Sequence, residues 1–131
     1  MNTQIAYLIL RVSVGVSMLG HGLVRLPKLQ GFSAWMLKQF ENSILPDILV
    51  LPFSYALPIV EFVLGILLVL GWFTRISSIV ASIVMILLIF GSTLIENWGA
   101  LVPQFIHVTF FAYLIQHIDR NSFALDTKLR G

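Results

Sequence analysis

Four stretches of about twenty apolar residues, at 5–26, 53–73, 76–95 and 100–118, take up most of this 131-residue chain. A bilayer core roughly 30 Å thick takes about 20 helical residues to cross. Only structure that satisfies its own backbone hydrogen bonds is tolerated there. The chain is 58% hydrophobic and 11% charged, so a water-soluble fold of this size would expose too much apolar surface to stay monomeric. The expectation is an all-α membrane protein: a single domain over 1–131, with four transmembrane helices in an up-down bundle. Pro27 closes the first span, and Pro52 precedes the second, where the first helical turn has no use for the missing N–H.

The 27–52 segment is the one long connection. Phe32, Trp35, Met36, Phe40 and Ile44 recur in it at helical spacing, with Lys38, Gln39, Glu41 and Asn42 at other angles. This pattern predicts an amphipathic interfacial helix at about 33–44, with Ser33 near its start. Trp72 to Arg75 reads as a tight hairpin. The first span is not read as a cleavable signal peptide, because no Lys or Arg precedes it and Arg11 interrupts it. Four spans put both termini on one side, together with Arg75, Arg120, Lys128 and Arg130. Arg25, Lys28 and Lys38 fall on the other, and the positive-inside rule then favours cytoplasmic termini.

Arg11, His21, Glu61 and His107 interrupt these apolar runs. A charge at the bilayer centre costs about 2.5–3.5 kcal/mol on insertion scales, so each such group needs a partner, a wet cavity or a ligand. At about 3.6 residues per turn, Arg11, Gly15, Met18, Gly22 and Arg25 share one stripe of the first span. Ser54, Pro58, Glu61, Gly65, Leu68 and Trp72 share one of the second. Gln104, His107, Phe111 and Leu114 line one face of the fourth. Counting turns from the helix ends places His21, Glu61 and His107 in one layer, with Arg11 about 10 Å deeper. The expected compensation is an Arg11–Glu61 pair spanning that gap. The layer reads either as a ligand pocket or as a brace that fixes helix register.

Cysteine is absent, which excludes thiol–disulfide and iron–sulfur chemistry. A net charge of +2 without a basic run gives no footprint for nucleic acid. No glycine loop for phosphate, nucleophile elbow or His-Glu-x-x-His motif occurs. That favours a subunit, alongside partner proteins or as a homo-oligomer, over a complete enzyme. Three readings of the polar layer remain. In the first, a quinone lies in an apolar slot with His, Glu and Arg handling its carbonyls and protons. In the second, a non-covalent haem is held between His21 and His107. The third is a cofactor-free interaction or assembly protein. A dedicated metal site is not expected.

The runs Leu10-Arg11-Val12-Ser13-Val14-Gly15 and His21-Gly22-Leu23-Val24-Arg25-Leu26 resemble the first helix of the DoxX family. The stretch from Val60-Glu61-Phe62 to Gly71-Trp72-Phe73-Thr74-Arg75 looks like that family's most characteristic segment. The tail Asn121-Ser122-Phe123-Ala124-Leu125-Asp126 is similar to its closing Ser-Leu-Asp signature, with an insertion. The resemblance implies a four-helix protein of the bacterial inner membrane. Some relatives are associated with thiosulfate–quinone oxidoreduction or oxidative-stress complexes, and others with membrane-protein assembly. Carried over position by position, it marks Arg11, His21, Glu61 and Arg75; His107 matches no motif and rests on the depth argument alone.

Overall fold

A computed structural model describes residues 1–130. Its helices are α1 (Asn2–Arg25), α2 (Leu29–Gln39), α3 (Asp47–Leu70), α4 (Thr74–Leu94), α5 (Leu101–Gln116) and α6 (Leu125–Arg130). Short 3-10 turns at Leu26–Lys28, Trp98–Ala100 and Ile118–Arg120 link them, and no strand occurs among the described residues. Four of the helical segments are long and apolar enough to cross a membrane: those of α1, α3, α4 and α5. The protein is a multi-pass membrane protein.

Two elements differ from their sequence-based limits. The second span begins at Asp47 rather than 53, so Pro52 lies inside α3, as Pro58 does, instead of at its first turn. Pro46 is extended and precedes the helix, and Asp47 occupies the first turn, where the helix dipole favours an acid. The apolar residues 48–51 ahead of Pro52 are thus already helical. The connecting helix runs over Leu29–Gln39 rather than 33–44. It ends where the Ser43 backbone N–H and hydroxyl both donate to the Phe40 carbonyl, drawing the chain into a turn.

Small residues set how closely α1 and α3 approach. A methyl group added at Gly22 would lie 2.6 Å from the Phe62 backbone nitrogen, and one at Gly15 would lie 2.8 Å from that of Val69. Gly65 meets the Leu19 backbone in the same way. The partner numbers fall as the α1 numbers rise, so the two helices run antiparallel with their backbones nearly touching. Tyr7, Met18, Leu68, Phe111 and Leu114 form the fully buried centre.

At the other end of α3, Gly71 adopts a left-handed conformation (φ 70°). The Trp72 N–H donates to Leu67 O and the Gly71 N–H to Leu68 O, a Schellman closure that needs glycine at this point. Phe73 is also left-handed (φ 51°). Its N–H and that of Thr74 donate to the Asp126 carboxylate at 2.6 and 2.9 Å. The C-terminal tail thus caps α4 from outside the helix.

Candidate ligand cavity and its polar wall

Arg11 belongs to this tail closure and does not pair with Glu61. Its Nε donates to Leu68 O at 2.9 Å, Nη1 to Asn121 Oδ1 at 2.7 Å and Nη2 to Phe123 O at 2.9 Å. Asn121 in turn donates to the Thr74 hydroxyl. The guanidinium therefore sits at the negative end of α3 with three acceptors around it. The antiparallel register explains the correction. Gly15 lies opposite Val69, so Arg11 reaches past the end of α3, while Glu61 lies level with Gly22 and the last turn of α1.

Arg25 fills the place expected of Arg11. Its Nη1 donates to Glu61 Oε1 at 2.9 Å, and its guanidinium carbon lies 4.5 Å from the centre of the Phe32 ring. Glu61 is buried, and Arg25 is about a quarter exposed. Arg25 thus joins α1 to α3 through charge and to α2 through its face on an aromatic ring.

A cavity of about 500 Å³ opens beside this pair. Of the four residues singled out from the sequence, His21, Glu61 and His107 border it and Arg11 does not. Met18, Phe32, Met36, Leu57 and Met85 make much of its apolar wall. α2 supplies one side of it and is tied to α3 by a buried hydrogen bond between the Ser33 and Ser54 hydroxyls at 2.6 Å. Arg75, the remaining family-matched residue, is exposed in the first turn of α4.

The imidazoles are fixed by backbone carbonyls. His21 Nδ1 lies 2.7 Å from Ser17 O, and His107 Nδ1 lies 2.7 Å from Pro103 O. A carbonyl can only accept, so each Nδ1 carries the hydrogen, and in the neutral form of the ring Nε2 is the acceptor. His107 Nε2 accepts from the Ser17 hydroxyl at 2.8 Å. His21 Nε2 has no partner among the described residues, and the two rings lie edge to face with centroids 6.5 Å apart. Gln104, also on the cavity wall, donates its amide to Ser92 Oγ, while its Oε1 is buried without a partner. Among the described residues no three His, Asp or Glu side chains converge closely enough to hold a metal ion.

Sequence reasoning missed Arg25, Ser17 and the role of Gln104. Arg25 continues the stripe through Gly15 and Gly22, and Ser17 stands one turn before His21; both signals were present. Comparison with known families returns the DoxX model over residues 6–94. The chain belongs to the DoxX family. The DoxX match takes in Arg25, Glu61 and the first three spans, while His107, Gln104 and the capping tail lie beyond it. No curated protein and no solved structure matches the chain.

Proposed function

We propose that this DoxX-family protein is a redox-associated subunit of the bacterial inner membrane, and that its cavity holds a quinone headgroup beside a partner oxidoreductase. The observation that carries this reading is the cavity itself: an apolar slot in a membrane bundle, closed at one side by the Arg25–Glu61 pair and His21. Slots of this size with a few convergent polar groups suit small amphiphilic ligands. A quinone would supply a carrier of two electrons and two protons, with the electrons exchanged through the partner. Within the slot, Arg25 and Glu61 orient the head. His21 Nε2 takes up or returns a proton, and Met18, Leu57 and Met85 keep water from the ring. The haem alternative fits less well, since the Ser17 hydroxyl already occupies His107 Nε2 and an axial ligand needs that lone pair.

In this proposal the four spans cross the bilayer alternately and α2 lies in the interface, with both termini in the cytoplasm. The absence of cysteine makes each reporter thiol unique. A cysteine at Asn97 is expected to react with an impermeant maleimide in intact cells, and one at Lys128 only after lysis. The reverse pattern would invert the orientation.

The functional test is the absorption spectrum and organic extract of the purified protein. Recovered quinone that is depleted in Glu61→Gln supports the proposal. A Soret band lost on His21→Ala and His107→Ala would replace it with haem. A colourless, quinone-free protein whose Glu61→Gln form is merely less stable would leave the cofactor-free assembly role.

A further inference from the structure

The cavity occupies the space that α1 leaves by stopping early. Gly22 lies beside Phe62 and Arg25 is bonded to Glu61, so α1 ends level with the middle of α3. From Asp47 to that level α3 runs on alone for about 21 Å, at 1.5 Å per residue. The walls come only from this half of the bundle. Among the described residues, none that borders the cavity precedes Met18 on α1, follows Glu61 on α3, precedes Met85 on α4 or follows His107 on α5. Leu45 and Asn97, from the α2–α3 and α4–α5 connections, complete the lining with Gln39 at the end of α2. Gln39 and Asn97 are polar and exposed, and they mark a mouth at this end.

The opposite end is shut. Tyr7, Leu68, Phe111 and Leu114 are fully buried, and none of them borders the cavity. The Tyr7 hydroxyl donates to Leu114 O at 2.7 Å, so the polar atom of this layer is already engaged. Beyond it lies the closure of Arg11 on Leu68, Asn121 and Phe123. A close-packed layer of this kind leaves no room for a file of water. Sideways the cavity meets hydrocarbon, since Trp35, Leu87 and Phe90 border it and are exposed. Such gaps admit an apolar ligand but carry neither water nor charge.

Arg25 and His21 from α1, Glu61 from α3 and His107 from α5 are the ionisable groups bordering this space, and α2 and α4 bring none. Ionisable groups at membrane depth persist where they reach a partner or water. We infer that the cavity is a one-ended well: it exchanges water and protons only with the face that carries the α2–α3 and α4–α5 connections. Apolar ligands enter from the side. A proton that His21 or Glu61 gives to a ligand, or takes from one, comes from or leaves to that single face. Proton exchange at the site is therefore directional across the membrane. The directional exchange rests on the proposed ligand, whereas the one-ended access is a property of the cavity alone.

The test is one-sided thiol labelling of the full-length protein in its native membrane. The chain has no cysteine, so Leu57→Cys and Met85→Cys each place a single thiol on the cavity wall. Asn97→Cys and Lys128→Cys report the two faces, which frees the result from any assumption about orientation. A small charged methanethiosulfonate is applied to intact cells and to inverted vesicles. Both wall thiols are expected to react at least tenfold faster in whichever preparation exposes Asn97→Cys. Faster reaction from the Lys128→Cys face, or equal reaction from both, would overturn the one-ended well. Reaction from neither face, by thiols that react fully once the protein is denatured, would overturn it as well. Excess short-chain benzoquinone is expected to slow labelling of both wall thiols at least fivefold. Labelling from the Asn97→Cys face that benzoquinone does not slow would uphold the well and count against the quinone.

Discussion

Arg25 Nη1 lies 2.9 Å from Glu61 Oε1, so the last turn of the first membrane helix is joined to the middle of the second. Glu61 is 3% exposed, which makes its partner a structural necessity. Arg25→Leu leaves a carboxylate buried without compensation and is expected to destabilise the protein by about 3 kcal/mol. Arg25→Leu combined with Glu61→Leu is expected to recover at least half of that loss, because no buried charge then remains. Unfolding in graded detergent mixtures measures both, and additive losses in the double variant would show that the pair carries no coupling.

The antiparallel contact between α1 and α3 predicts a sharp difference among glycines. Gly65→Ala drives a methyl group into the Leu19 backbone, and Gly20→Ala meets nothing within 4 Å. The first is expected to cost about 1–3 kcal/mol or more, as overpacking does, and the second to be neutral or slightly stabilising. Melting temperatures of the two variants decide the matter, and similar values would place the helix contact elsewhere.

The tail closure can be opened from either side. Asp126→Asn keeps the shape but weakens the two bonds to the Phe73 and Thr74 N–H groups at the start of α4, at an expected cost of about 1 kcal/mol. Arg11→Lys replaces a fork that serves three acceptors with a single ammonium. Limited proteolysis is expected to cut both variants within 121–130 sooner than the native protein. Unchanged cleavage would mean that the tail is held by its apolar contacts.

Much of the fold was legible because the bilayer imposes it. Length and hydropathy alone mark the four spanning helices, and Trp72 to Arg75 marks the hairpin between α3 and α4. The partner of Glu61 was not legible from the same information. Placing Arg11 opposite Glu61 relied on stripe and depth, but pairing across two helices depends on their register, and hydropathy carries no register. The glycines do carry it: setting Gly15 and Gly22 against α3 around Gly65 brings Glu61 to Arg25 and carries Arg11 to the helix end. The His21 tautomer was hidden for a different reason. It follows from the side-chain rotamer that brings Nδ1 to the Ser17 carbonyl, and residue spacing carries no rotamer. The beginning of α3 was obscured because Pro52 interrupts an apolar run without interrupting the helix, which starts at Asp47.

A cavity-filling change separates the slot from the brace. Met85 borders the cavity and is 5% exposed; Met85→Trp is expected to occlude the space while leaving the Arg25–Glu61 pair intact. Quinone recovered in organic extracts is expected to fall at least fivefold with little change in melting temperature. Undiminished recovery would place the ligand on the outer surface of the bundle.

The central claim is that the cavity lined by α1, α2, α3, α4 and α5 holds the quinone head, and photoaffinity labelling tests it most directly. An azido-quinone irradiated with the protein in native membranes, followed by peptide mapping, is expected to label Trp35, Met36 or Met85 and to be displaced by excess unlabelled quinone. Label confined to lipid-facing residues such as Val102, Phe105 and Ile106, or label that excess quinone does not displace, would contradict it.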